Sequence, residues 1–252
     1  MRKIAMIVLL AVLITTAGCG AKAGENVQNV TSEEVITQKQ HQVTIVAKEE
    51  NLKNEFIEVK LRIPQISDMQ NEAAQKQLNN QFNSVYQLRD SMQKEAEQTA
   101  EDLKQSGFPF RPYELIADYD ISYNQQGILS LTTTVYTYTG GAHGGTAKTT
   151  YNVDINSGEQ ISLKSMFKEG VNYKDLINQE ISNQIAKEPE IYFSGDMGFK
   201  TIADDQNFYI TEGKIVVYFS QYEIAPYASG IPEFELQLSQ FKDSLKPEYQ
   251  AI

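Results

Sequence analysis

Cysteine and histidine are nearly absent. The 252 residues include one Cys and two His. A single Cys excludes a disulfide framework within the chain. Two His and one Cys leave little from which to build a His/Cys metal centre. Positive charge is also scarce: 22 Lys and Arg stand against 33 Asp and Glu, a formal net charge of −11. Proteins that grip nucleic acid carry a basic footprint, so no nucleic-acid partner is expected. The sequence has no P-loop spacing, no GxGxxG fingerprint and no GxSxG nucleophile elbow. No cofactor is therefore expected. Internal repeats and low-complexity tracts are missing as well. What is present is ordinary for a folded chain, with 41% apolar and 22% charged residues.

Long apolar runs are missing too. The longest, Ile4 to Ile14, has eleven residues. That is too short for a membrane span of about 20 residues and suits the h-region of a signal peptide. Arg2 and Lys3 precede it as a basic n-region, and Thr16-Ala17-Gly18-Cys19 follows. A small residue directly before Cys resembles a bacterial lipobox. That resemblance implies a diacylglycerol on Cys19 and a chain beginning there, anchored to the outer face of the cytoplasmic membrane. An ordinary secretory signal is the alternative. Residues 1–18 are thus expected to be a lipoprotein signal peptide. Residues 19–40, small and polar, read as a flexible tether.

Beyond the tether the patterning changes. Val43, Ile45 and Ala47 alternate as a strand, and Ile57 to Ile63 alternate as a second one that Pro64 should end. Apolar residues from Met69 to Leu103 then recur at helical spacing. Ser67 and Gln70 form a capping-box pattern, and Gly107 and Pro109 are stop signals. This predicts a helix over 68–106 that spans the molecule, bends, or breaks near Arg89-Asp90-Ser91. Strands are expected over 115–123, 128–139 and 146–155, with a turn at Gln125-Gln126-Gly127. Short and longer helices follow at 162–167 and after Asn172. Glu212-Gly213 signals a hairpin between strands at 208–211 and 214–220. A last strand over 233–238 and a short helix over 239–245 close the chain. The fold class is α+β: mainly antiparallel sheets packed against one long and one shorter helix. A division near 107–112 would separate a strand-pair and long-helix part, 41–110, from an α/β part, 111–252. A single core is the other option.

Two segments concentrate unusual chemistry. The first, Tyr136 to Thr146, sets four glycines around His143, including Gly141 and Gly144. Glycine lets a backbone approach a partner closely or adopt φ > 0, and His can act as acid, base or ligand. A plain strand-connecting loop would need the same glycines. The second, Tyr218 to Phe234, holds Tyr222, Glu223, Pro226, Tyr227 and Pro232. Exposed Tyr on a rigid loop favours recognition; aromatics filling the core are the alternative. Catalytic constellations are thin. The lone Cys lies in the lipobox, and Asp204-Asp205 are adjacent carboxylates of the kind common on surface turns. No enzymatic activity is expected.

These segments, with Ala203 to Tyr209, resemble the extracellular domain of RsiV-type proteins over about residues 40 to 245. That family includes a membrane anti-sigma factor that serves as a lysozyme receptor, and a similar region precedes the catalytic domain of some PdaC-type peptidoglycan deacetylases. The resemblance implies an extracytoplasmic binding domain, with lysozyme or peptidoglycan as ligand. Only Met1-Arg2-Lys3 precedes the h-region, so no sigma-factor partner is expected. The expected function is a lipid-anchored binding module of the envelope. Its ligand would be a lysozyme-like muramidase or wall glycan, met by Gly141, His143, Gly144, Tyr222, Glu223, Pro226, Tyr227 and Pro232. The alternatives are an envelope hydrolase using His143 with a carboxylate, and a structural assembly partner.

Overall fold

A computed structural model describes residues 42–252. The expected signal peptide, Cys19, the expected tether and His41 lie outside the described residues. Among the described residues no helix is long and apolar enough to cross a membrane. The fold is α+β, with a five-stranded sheet, a three-stranded sheet, one long helix and shorter helices.

The larger sheet holds β1 (Thr44–Lys53), β2 (Ile57–Ser67), β3 (Tyr113–Gln125), β4 (Ile128–Tyr138) and β5 (Gly145–Asp154), in that spatial order. All neighbours are antiparallel except β2 and β3, which run parallel. A parallel pair needs a long crossover, and α1 (Glu72–Gln105) supplies it. Pro64 does not end β2. Parallel pairing with β3 stops at Leu61 and Ala117, so Pro64 has a ladder partner only on the β1 side, opposite Ala47. A residue without an N–H is tolerated where one side of the strand is free.

Helix α1 is one unbroken helix of 34 residues, about 51 Å long at 1.5 Å per residue. It begins later than the capping-box pattern suggests. Asp68 has a left-handed φ of 69°, and Asn71 is the cap, accepting from the Ala74 N–H at 3.0 Å. At the other end Gly107 has φ 74°. The Gly107 and Phe108 N–H groups donate back to the carbonyls of Lys104 and Leu103, the reversed pair of bonds that a glycine in this conformation allows. Leu78, Phe82, Val85, Met92 and Ala96 are buried. They pack with Val59, Leu61, Leu115, Leu129 and Leu131 in one core. Each fully buried aliphatic or aromatic side chain contributes about 1.5–3 kcal/mol. Arg89 bonds the Glu50 carboxylate at 2.5 Å and ties the middle of the helix to β1.

The second core lies towards the C-terminus. It joins the three-stranded sheet, β6 (Phe208–Thr211), β7 (Lys214–Tyr218) and β8 (Glu233–Gln237), to α2 (Leu163–Met166) and α3 (Tyr173–Ile185). Ile177, Ile181, Ile210, Ile215, Val217, Leu236 and Leu245 are its fully buried aliphatics. Asn172 holds the N-cap position of α3, but its side chain donates to Asp175 and accepts no backbone bond. The expected last helix is instead a 3-10 turn, Leu238–Phe241.

A division at 107–112 coincides with neither sheet nor core, because β2 pairs with β3 across it. The cores divide later in the chain. A bulge between Ile121 and Tyr123 reverses the phase of β3, so Tyr119 joins the first core and Tyr123 the second.

Candidate functional site

The two unusual segments meet. β4 and β5 are joined through 139–144, where Gly140 and Gly141 take φ of 92° and 100°. Gly144 is needed for another reason. A Cβ there would lie 2.4 Å from both the Thr137 carbonyl oxygen and the Tyr136 ring. The tight closure turns the Gly144 carbonyl towards the other segment. There it accepts from the Tyr227 hydroxyl at 3.0 Å and from His143 Nδ1 at 2.9 Å.

A carbonyl can only accept, so the bond from Nδ1 places the proton of a neutral His143 on that nitrogen. Nε2 is then an acceptor, and the Tyr222 hydroxyl lies 3.3 Å from it. The imidazole also stacks on Tyr227, with centroids 4.0 Å apart and planes at 21°. Tyr222 and Tyr227 lie 5.7 Å apart at 30°. One imidazole and two phenols thus form a continuous aromatic corner.

Tyr222 is held in a left-handed conformation, φ 67°, and remains 54% exposed. A non-glycine residue adopts this region at a cost of about 1–3 kcal/mol, and only where its surroundings enforce it. Here Glu223 enforces it: its carboxylate accepts from the Ser220 N–H at 2.7 Å, and its own N–H donates to the Ser220 carbonyl. Gln221 accepts from the Thr146 N–H and ties the turn to β5. Pro226 leads into a 3-10 turn, Tyr227–Ser229, whose Ser229 hydroxyl donates to the Ile191 carbonyl.

The eight sequence candidates therefore separate. His143, Gly144, Tyr222 and Tyr227 come together, and Glu223 and Pro226 shape the turn that presents them. Gly141 lies aside, its carbonyl accepting from Tyr138. Pro232 is buried, and its carbonyl accepts from the Phe219 N–H beside the β7–β8 ladder. No carboxylate hydrogen-bonds His143 among the described residues, and Asp204 is paired with Lys174 at 2.8 Å. Nor do three His, Cys, Asp or Glu side chains gather as a metal site among them.

The corner forms one end of a groove of about 780 Å³. Its floor is one face of β4 and β5, including Val135, Ala147 and Thr149. Its wall is α1, through Phe82, Val85 and Leu88. Sequence reasoning missed this groove. The α1 residues carry helical spacing and read as core, and nothing local reveals that the helix covers only part of the sheet.

Comparison with known proteins agrees with this architecture. Residues 50–146 match the family model described as "Deacetylase PdaC". Residues 164–239 match "Protein of unknown function (DUF3298)". The chain is 30% identical over 201 residues to the anti-sigma-V factor RsiV of Bacillus subtilis, covering 72% of this chain and 66% of that protein. It is 30% identical over 141 residues to the peptidoglycan-N-acetylmuramic acid deacetylase PdaC of the same organism, covering 54% of this chain and 30% of the enzyme. Two crystal structures of DUF3298 family proteins share the fold. One, from Bacteroides fragilis, has a TM-score of 0.63 at 18% identity, over 82% of this chain and 94% of its own. The other, from Pseudomonas aeruginosa, has a TM-score of 0.54 at 16% identity, over the same shares.

Proposed function

We propose that this chain, which belongs to the RsiV-like family and joins a PdaC region to a DUF3298 region, is a lipid-anchored binding module on the outer face of the cytoplasmic membrane. Its relatives by name include a peptidoglycan deacetylase and an anti-sigma factor, which supports an extracytoplasmic, envelope-related domain. The observation that carries a binding role is the aromatic corner. Two segments 79 residues apart hold His143, Tyr222 and Tyr227 in fixed geometry at the surface. Rigid, amphipathic aromatics give contact area with little ordering cost.

The ligand we favour is a lysozyme-like muramidase, as the family resemblance implies. Animal lysozymes are strongly basic, and Glu223 lies in the turn that presents the corner of a chain whose net charge is −11. Complementary charge speeds encounter and orients the partners. The hydrolase alternative draws less support, since both ring nitrogens of His143 face hydroxyl or carbonyl partners rather than a carboxylate. The anchor would be the diacylglycerol on Cys19, two acyl chains being enough for stable attachment.

Calorimetric titration with a c-type lysozyme at low and moderate salt tests the partner. Saturable binding that persists at moderate salt, and weakens in Tyr222→Ala, is expected. Binding that vanishes as charges are screened would reduce the interaction to nonspecific attraction. Metabolic labelling with a radioactive fatty acid, compared between the natural chain and Cys19→Ser, tests the anchor.

A further inference from the structure

The groove behind the corner has a chemistry of its own. Two charged side chains line it, and both are paired: Asp118 with Arg62, and Lys148 with Glu233 at 2.5 Å. A second recess of about 460 Å³ continues along α1, sharing Gln81, Ser84, Thr149 and Tyr151 with the first, and no charged side chain lines it. An elongated, electrically neutral groove thus runs through a protein of net charge −11.

Its surface alternates apolar and hydrogen-bonding groups. Register sets Thr133 opposite Thr149 and Val135 opposite Ala147 on the floor. Phe82, Val85 and the half-exposed Leu88 face them from α1. The hydroxyls of Thr137 and Thr149 and the amides of Gln77 and Gln81 make no side-chain hydrogen bond among the described residues. At the end stands the stacked pair of His143 and Tyr227.

This combination selects a ligand class by exclusion. A basic segment would need carboxylates in the groove, and an anionic polymer would need unpaired cations. An acyl chain would bury the free hydroxyls and amides without partners, at roughly 1–3 kcal/mol each. A neutral saccharide satisfies both kinds of surface. Its hydroxyl and amide groups pair with the Thr and Gln side chains, and its C–H faces lie on apolar walls and on the negative face of an aromatic ring. The volume falls in the range of small-ligand sites, and its elongation suits a linear chain. We propose that the groove between α1 and the β4–β5 face binds a neutral, linear oligosaccharide, with Tyr227 stacking at its end. The inference rests on the reading of the chain as an envelope binding module, but not on a muramidase as its partner.

The probe is the β-1,4-linked hexamer of N-acetylglucosamine, titrated into the full chain and followed by calorimetry at low and high salt. Its deacetylated, cationic counterpart and laurate serve as comparisons. The neutral hexamer should bind saturably with an affinity that salt leaves unchanged, and more tightly than either comparison. Ala147→Trp fills the groove from an exposed position and should weaken binding about tenfold or more. Thr149→Val keeps the volume, removes one hydroxyl and should weaken it by roughly two- to tenfold. Circular dichroism establishes that each variant is folded. Absence of saturable binding, unchanged binding in Ala147→Trp, or tighter binding of the cation or of laurate would each overturn the proposal. The same preparations are titrated with lysozyme. Lysozyme binding without hexamer binding removes the groove assignment and leaves the module reading standing, whereas loss of both removes both.

Discussion

The two faces of the β4–β5 hairpin are finished differently. One face is closed by the smaller sheet. Ser130 donates to Asn152 at 2.7 Å and accepts from the Ile210 N–H, and Asn152 donates to the Phe208 carbonyl at 2.8 Å. Thr150 and the Tyr218 hydroxyl lie 2.9 Å apart further along the same face. The opposite face is only partly covered, because α1 lies chiefly against β2 and β3 and leaves Val135, Ala147 and Thr149 lining a groove. Buried polar groups that are fully paired hold one arrangement. A face with free hydroxyls and half-exposed apolar groups is still available to a ligand. The contrast separates the part of the molecule that holds its shape from the part that can bind.

Truncation should measure the contrast most directly. Phe234 is 1% exposed and packs edge-on against Phe219 in the second core. Phe234→Ala should cost about 3–5 kcal/mol in urea unfolding. Val135→Ala, on the floor of the groove, should cost only about 1 kcal/mol. Equal losses would mean that the groove side is as closed as the core. The polar bridge should come next. Asn152→Ala removes the partner of the Phe208 carbonyl and of Ser130, and about 2–3 kcal/mol should be lost in the same assay. A change below about 0.5 kcal/mol would show that the bridge does not hold the faces together.

The smallest effect is electrostatic and lies on β2, away from both faces of the hairpin. Lys53 and Lys60 both bond the Glu58 carboxylate and lower its pKa to about 2. A carboxyl depressed in the folded state contributes stability above its unfolded pKa, near 4.3, and loses it as pH falls towards 2. The pairs are exposed, so the contribution is slight and salt-sensitive. Glu58→Gln should lower thermal stability slightly at pH 7, flatten the decline between about pH 4.5 and 2, and converge on the natural chain near pH 2. An effect as large at pH 2 as at pH 7 would contradict the pairing.

Long elements were the most legible. The apolar spacing from Leu78 to Ala96 placed the helix and the alternation of Ile57 to Ile63 placed β2, since each buried stripe repeats over several residues. Gln126-Gly127 was a turn on residue chemistry alone, with φ of 55° and 80°. Pro64 and the start of α1 misled for one reason. Whether a missing N–H matters, or which polar side chain caps a helix, depends on neighbours far along the chain. The pairing of β2 with β3 across 107–112 could not be read locally, because a parallel pairing across α1 leaves no local signature.

The corner was legible as two separate peculiarities. Glycines around His143, and tyrosines among prolines, marked both segments as unusual. By itself the sequence determined which residues are scarce, which segments are helix and strand, and that two loops carry aromatic and glycine chemistry. Those follow from local propensity and periodicity. The tertiary structure decided that His143 stacks on Tyr227, that Gly144 serves both loops, and that α1 leaves a neutral groove beside them. Such features depend on strand register and on where a helix lies across a sheet, and long-range packing sets both.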